Sequence, residues 1–243
     1  MKFFSFLISI TLIYTSCTTS KESEDAVVSN AKDVKSISNQ ANLYSLALDK
    51  SIVTWIGSKP AGKHNGTILL KSGELAIEKG EIIGGHIVID IHSIETIDLK
   101  DDPERNDRLI NHLKSNDFFD AEVYPTAIFE ITSIGPYSSE SNNKTKEEFE
   151  SEHKPISADR HIVKQPSHLV TGNLSMRDTT LSITFPSRIE NNDSTITAKA
   201  KFNIDRTNWN LKYRDESSVV DQTKDRFIYN TVNVGFIIEA RKE

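Results

Sequence analysis

The stretch TITAKAKFNID, residues 195–205, alternates apolar and polar residues along its whole length. The apolar parity carries Ile196, Ala198, Ala200, Phe202 and Ile204. A strand points successive side chains to opposite faces, so a period of two predicts an antiparallel strand with one buried and one solvated face.

The same alternation recurs along the chain and predicts an all-β fold. Further apolar rows are Leu181, Ile183 and Phe185; Val232, Val234, Phe236 and Ile238; and Ile87, Ile89 and Ile91, with more strands predicted at 51–58, 66–78, 126–134 and 168–176. Many short strands separated by turn signals are typical of a barrel or a sandwich.

One segment, residues 102–116, breaks the alternation and predicts a helix. Asp102 is a favourable N-cap, Pro103 suits the first helical position, and an apolar stripe follows. The helix is expected to end just before Phe118 and Phe119. One helix among about eight strands favours a closed antiparallel β-barrel with a helical connection.

The N-terminus, MKFFSFLISITLIYTSC, reads as a secretory signal. Its apolar run is too short for a membrane span, which needs about 20 residues. Cys17, the only cysteine in the chain, closes a lipobox-like pattern, so we expect residues 1–17 to be a signal peptide whose Cys17 is acylated. An ordinary signal with an incidental cysteine is the alternative. An acylated Cys17 would leave no thiol for disulfides or catalysis.

Two polar stretches divide the rest of the chain. Residues 18–40 lack aromatics and are predicted to be a flexible tether, and residues 41–243 to be one domain. Residues 135–166 are rich in Ser, Glu, Lys and Asn, so we predict a disordered insertion there.

The charge excludes one class of partner. The chain has 29 basic and 35 acidic residues, a formal charge of −6, and no basic stripe. We therefore expect no nucleic acid partner, and membrane attachment through acylation instead. Neither a nucleophile elbow nor a phosphate loop is present, so these motifs give no catalytic residue and no cofactor.

His86, Asp90 and His92 share one parity in GHIVIDIH. Such a row could ligate a metal in an enzyme. A polar solvent-facing row opposite the isoleucines is the alternative that we favour, because no close-spaced ligand pair completes a metal site. No metal site is therefore predicted.

Aromatic residues near strand ends form the remaining candidate site. Trp55, Trp209, Phe118 and Phe119 either pack in the core or line a pocket. Eight-stranded barrels can hold one small ligand against their inner apolar face.

Four motifs resemble one family in the expected order. They are WIGSKPAGKHNG (55–66), HLKSNDFFDAEVYPTAIFEIT (112–132), VTGNLSMRDTTLSITFP (170–186) and FNIDRTNWNLKY (202–213). These stretches resemble the YceI-like, polyisoprenoid-binding proteins over residues 43–240.

The resemblance implies a lipocalin-like antiparallel β-barrel that takes a long isoprenoid or other amphiphilic chain outside the cytoplasm. It implies a binding protein and not an enzyme. The matching positions carried over as ligand-binding are Trp55, His64, Phe118, Phe119, Phe129, Arg206 and Trp209.

The sequence therefore predicts a lipid-anchored protein of the bacterial cell envelope, on the periplasmic or cell-surface side, whose partner is an isoprenoid or other amphiphilic lipid. A homodimer is left open. The alternative is a structural or partner-binding envelope lipoprotein with a solid barrel. Two family glycines are replaced, by Asp178 and Asn210, and both replacements tolerate left-handed backbone.

Overall fold

The computed structural model describes residues 25–138, 149, 151–155, 163–192, 194–218 and 226–243. The strands of this part are β1 (Val27–Asn30), β2 (Asn42–Leu46), β3 (Ile52–Lys59), β4 (Gly62–Glu78), β5 (Glu81–Asp90), β6 (Glu95–Thr96), β7 (Thr126–Pro136), β8 (His168–Met176), β9 (Thr179–Asn192), β10 (Thr195–Asp205) and β11 (Thr231–Lys242). One α-helix, α1 (Pro103–Lys114), lies between β6 and β7.

The strands close into an antiparallel barrel with eight strand positions. The order around it is β9, β10, β11, β2 with β3, β4, β5, β7 and β8, and β8 pairs again with β9. β2 and β3 share one position, because both lie between β11 and β4 and only a short helical turn separates them. The predicted eight-stranded lipocalin-like barrel is confirmed.

The predicted helix is also confirmed. The side chain of Asp102 accepts a hydrogen bond from the backbone N–H of Arg105 at 3.1 Å, which satisfies one of the free donors of the first turn. Ser115 caps the other end through its backbone N–H. The helix lies across the end of the barrel at which β3 turns into β4, and we call this the helix end.

The period-two prediction for β10 matches the structure at both boundaries. Ile196, Ala200, Phe202 and Ile204 are buried, and Lys199 and Lys201 are exposed. β7 departs from strict alternation: a bulge between Ile131 and Ser133 shifts the register, so Ile131 and Ile134 both turn inward.

The prediction of a flexible tether over residues 18–40 is wrong for β1. β1 pairs antiparallel with residues 181–184 of β9, and a bridge joins Asp25 to Asn203 of β10. β9 and β10 pair with each other only over 187–192 and 195–200. Their remaining backbone edges would be open, and the β-branched pair Val27-Val28 lets β1 fill the gap.

Side chains hold the segment around β1 in place. The amide of Asn173 exchanges two hydrogen bonds with the backbone of Lys32, at 2.9 and 2.7 Å. The amide of Asn203 donates to Asp25 at 2.9 Å. Although residues 18–40 are polar in composition, they include the short strand β1, which belongs to the barrel wall.

The predicted disordered insertion over 135–166 is wrong at its first two residues, which belong to β7, and at one described position inside it. Pro136 still belongs to β7, and the Tyr229 hydroxyl donates to the Phe149 carbonyl at 2.7 Å. Most of the insertion, the signal peptide and Cys17 lie outside the described residues. No helix among the described residues is long and apolar enough to span a membrane.

The barrel interior is packed differently at its two ends. At the far end, opposite the helix end, the hairpins β4–β5 and β9–β10 meet, and the Asn191 amide donates to the Gly80 carbonyl at 2.9 Å. Five inward residues pack this end: Tyr44, Leu46, Ile77, Ile196 and Ala240. We call them the far-end core.

Candidate ligand-binding site

The barrel encloses a cavity of about 550 Å³. Its walls are the inward rows of the strands, for example Ile183 and Phe185 of β9 and Val232 and Val234 of β11. Most lining residues are apolar, as expected when the period-two rows of eight strands face one another. The cavity reaches Ile82, near the far end, but none of the far-end core lines it.

The cavity opens at the helix end. Its exposed lining residues are Lys59, Ala61, Arg214 and Arg226. Lys59 is the last residue of β3, Ala61 lies in the β3–β4 turn, and Arg214 and Arg226 lie between β10 and β11. Three of the four residues at the mouth are therefore basic, whereas the interior is lined by aliphatic and aromatic side chains.

Phe118 and Phe119 lie at the mouth, where the chain leaves α1. Both line the cavity; Phe118 is 7 % exposed and Phe119 is partly buried. The Phe118 ring packs edge-on against His112 at 5.1 Å and lies 5.5 Å from Tyr213. The pair therefore packs against protein on one side and borders empty volume on the other.

A group of aromatic rings crosses the barrel below the mouth. Phe185 stacks on Phe202 at 4.2 Å and lies 5.7 Å from Phe129 and 5.5 Å from Phe236. All four line the cavity. Phe129 was predicted as a site residue, whereas the other three were predicted only as members of apolar rows, and their shared parity was the available signal.

His64 lines the cavity and pairs with a carboxylate outside the barrel. Its Nδ1 lies 2.7 Å from Asp98 Oδ2, and the backbone N–H of Asn65 donates to Asp98 Oδ1 at 2.8 Å. Partial burial acts to raise the pKa of Asp98, but the hydrogen bonds from Asn65 and His64 outweigh it and leave this pKa below its ordinary value. The pair pins β4 to the segment before α1.

Arg206 lines the cavity, yet its guanidinium is committed to backbone carbonyls. It donates to Tyr229 at 3.1 Å, Tyr213 at 3.1 Å, Ile228 at 3.0 Å and also to Leu211. Burial lowers the pKa of this guanidinium, and the charges of Asp215, Asp205 and Glu216 oppose the shift. These hydrogen bonds link residues 211–213 to residues 228–229, so Arg206 joins two segments of the chain at the helix end.

Trp209 is fully buried and does not line the cavity. Its indole N–H donates to the carbonyl of Leu174 at 2.9 Å. The structure therefore places this predicted ligand-binding residue in the core beside the barrel wall. Trp55 does line the cavity, and its buried Nε1 has no hydrogen-bond partner among the described residues.

His86, Asp90 and His92 do not form a cluster. Asp90 ends β5 and accepts a hydrogen bond from the backbone N–H of His92, which lies in the following turn. No group of three or more His, Cys, Asp or Glu among the described residues could hold a metal ion. The row faces away from the cavity-lining residues Ile87 and Ile89.

Comparison with known proteins assigns the family. The family model described as the YceI-like domain matches residues 44–240. This chain belongs to the YceI family. A search among curated proteins gave no match.

Two solved structures share this fold. BcnA of Burkholderia cenocepacia is 18 % identical with a TM-score of 0.52, and the match covers 80 % of this chain and 98 % of that one. A polyisoprenoid binding domain from Saccharophagus degradans, implicated in plant cell wall breakdown, is 15 % identical with a TM-score of 0.50, covering 82 % and 98 %. At these identities the likeness concerns the fold alone.

The glycines of the YceI motifs have steric reasons in this chain. A Cβ at Gly66 would lie 1.8 Å from the carbonyl oxygen of Glu95 and 2.7 Å from the Trp55 ring. A Cβ at Gly172 would lie 2.4 Å from the Phe129 ring. Both glycines therefore make room for aromatic rings that line the cavity.

Asp178 and Asn210, the two residues that replace YceI glycines, contact each other. Asn210 has a left-handed backbone with φ of 62°, as its residue type allows, and its amide donates to Asp178 at 3.0 Å. In the β8–β9 turn the positive φ falls on Arg177. The Arg177 guanidinium donates to the carbonyls of Phe118 and Asn210 at 2.9 and 3.1 Å, so it links the turn to the mouth.

Proposed function

We propose that this protein is an extracytoplasmic lipid-binding protein that sequesters or carries an isoprenoid or other long-chain amphiphile in its barrel. The observation that carries the proposal is the apolar cavity of about 550 Å³. This volume falls within the range of roughly 300–1,000 Å³ that is typical of small-molecule pockets. A solid barrel, which the partner-binding alternative requires, would leave no such volume.

The physical chemistry of the cavity supports an apolar chain as its guest. Each CH₂ group moved from water into such a lining contributes about 0.8 kcal/mol. A long chain can therefore bind tightly without any reacting group. The YceI family assignment, and the polyisoprenoid binding domain among the solved relatives, agree with a lipid or isoprenoid ligand.

The location is the second part of the proposal and rests on the sequence. The signal-like residues 1–17 support export, and Cys17 supports acylation and anchoring in the cell envelope. Labelled palmitate should be incorporated into the expressed chain and not into the Cys17→Ser variant. Incorporation that is equal in both, or absent from both, would contradict the anchor.

The two tryptophans provide a direct test of binding. Trp55 borders the cavity and Trp209 does not. The full chain carrying Cys17→Ser is titrated with the prenyl alcohol geranylgeraniol while tryptophan fluorescence is recorded. We expect a saturable change that is lost in Trp55→Phe and retained in the matched control Trp209→Phe.

Mass spectrometry of lipids extracted from the same protein gives an independent measurement. We expect at least one co-purified or newly acquired amphiphile. A protein that neither retains nor takes up any amphiphile, and whose fluorescence is unchanged by the prenyl alcohol, would contradict lipid binding.

A further inference from the structure

The charged residues that line the cavity are all basic, although Asp98 and Asp117 contact the lining residues His64 and His112 from outside it. The cavity is lined by Lys59, Arg206, Arg214 and Arg226, and no Asp or Glu among the described residues lines it. This bias runs against the composition, since the whole chain has a formal charge of −6. A local excess of one charge at the mouth of a cavity selects ligands of the opposite charge.

A smaller hollow adjoins the mouth and repeats the pattern. It has a volume of about 250 Å³, and its charged lining residues are Lys59, Arg105 and Arg108, with no carboxylate among the described residues that line it. Lys59 lines both the hollow and the cavity, as do His64 and His112. The hollow is therefore a polar continuation of the apolar cavity.

The geometry of α1 explains how the hollow acquires its arginines. Arg105, Arg108 and His112 are spaced by three and four residues, so they lie on one helix face. The same face carries Leu109, which borders both spaces. The helix thus presents an apolar side chain to the cavity beside two guanidinium groups in the hollow.

The neighbouring carboxylates do not neutralise these arginines. Asp102 approaches Arg105 at 3.8 Å and Glu104 approaches Arg108 at 3.6 Å, and both arginine side chains are more than half exposed. Such exposed contacts, longer than a hydrogen bond, stabilise little. Both guanidinium groups therefore keep donors for a ligand.

We propose that the amphiphile carries an anionic head group, a phosphate or a carboxylate, which binds in the hollow to Arg105, Arg108 and Lys59 while its chain occupies the barrel. This inference rests on the proposed lipid-binding function and specifies its ligand. Guanidinium groups match the planar oxygen pairs of carboxylate and phosphate, and Lys59 adds a point charge at the point where the two spaces meet.

Paired probes that differ only in the head group test the proposal. The full chain carrying Cys17→Ser is titrated with geranylgeranyl phosphate against geranylgeraniol, and with palmitate against palmityl alcohol. We expect the anionic member of at least one pair to bind about tenfold more tightly at low salt, with a smaller preference at 0.5 M salt because ions screen exposed charges. The two pairs distinguish a phosphate from a carboxylate.

Charge-removal variants locate the effect. In Arg105→Gln/Arg108→Gln the preference should fall to about threefold or less, because only Lys59 remains, and Arg105→Lys/Arg108→Lys should restore part of it. The matched control is Arg188→Gln/Arg241→Gln, which removes two exposed arginines, each paired with a glutamate, from the far end. It should keep the wild-type preference.

Equal affinities of wild-type protein for both members of each pair would overturn the anionic head group, and a preference that is undiminished in the glutamine variant would overturn its binding to Arg105 and Arg108 in the hollow. Lipid binding itself would then still stand, because the neutral alcohols bind. Failure of all four probes would overturn lipid binding and the head-group inference together.

Discussion

The two ends of the barrel are built from the same kinds of residue and yet differ in what fills them. The far-end core packs Ile196 and Ala240 to complete burial. At Gly73 an added Cβ would lie 2.6 Å from Leu46 Cδ1, so little space remains there. Toward the helix end, inward residues of the same strands border about 550 Å³ of cavity.

This difference shows that stability and binding are divided along the barrel axis. Close packing at the far end supplies dispersion contacts that a cavity forfeits. At the helix end the cavity forfeits part of these contacts, and the connections there are also held by polar interactions such as those of Arg206 and Asp98. Mutations of one residue type should therefore have different effects at the two ends.

The largest contrast is expected for isoleucine truncation. Ile196→Ala, in the far-end core, should lower the free energy of unfolding by about 4 kcal/mol, since it opens a cavity in closely packed surroundings. Ile204→Ala, in the cavity lining at the helix end of β10, should cost about 2 kcal/mol, because its side chain already borders empty space. Urea denaturation measures both. Equal losses would contradict the division between the ends.

Neighbouring alanines of β10 test the cavity lining itself, with a smaller effect on stability. Ala200 is 1 % exposed and does not line the cavity, so Ala200→Leu should overpack the interior and cost about 2 kcal/mol. Ala198 does line it, and Ala198→Leu should change stability by less than about 0.5 kcal/mol. The added side chain would occupy ligand space, so affinity for geranylgeraniol should fall about tenfold.

Urea denaturation and lipid titration of the two alanine variants should each detect a change in only one variant. Ala200→Leu should weaken the fold and leave the affinity of the folded protein unchanged. An Ala198→Leu variant that binds the prenyl alcohol like wild type would contradict the assignment of the cavity as the binding site.

Sequence periodicity was sufficient to predict most strands of the barrel wall, although not β1 or β2. The alternation of apolar and polar residues within one strand is enough to identify its inward face, and β10 was predicted with both of its boundaries from this alternation alone. The cavity volume is not a property of one strand, because it depends on how side chains from eight strand positions meet. The sequence therefore left a hollow and a solid barrel as alternatives.

Site residues were harder to predict because one residue type serves two roles. Phe119 and Trp209 are both aromatic residues in connections at the helix end, but only Phe119 borders the cavity. Arg206 looked available to a ligand, and the carbonyls that engage it lie 5 to 23 positions away in sequence. β1 was missed because its partner edges exist only after β9 and β10 have diverged.

The smallest predicted effect concerns the pH response of the helix end. The folded protein lowers the pKa of Asp98, so this carboxylate contributes stability above its unfolded pKa of about 3.9 and loses that contribution as the pH falls through the lower folded value. Asp98→Asn should therefore destabilise the protein at pH 7, by at most about 1 kcal/mol because the pair is partly exposed. Once the pH has fallen through the lowered folded pKa, the wild-type carboxyl becomes neutral, so the difference in unfolding free energy should shrink toward zero.

Ile196→Ala provides the control. It removes no titratable group, so its loss of unfolding free energy should persist at pH 7 and at low pH. If the loss of unfolding free energy in Asp98→Asn instead grew as the pH fell, this would contradict the sign of the pKa shift and the role of the His64–Asp98 contact in holding the mouth.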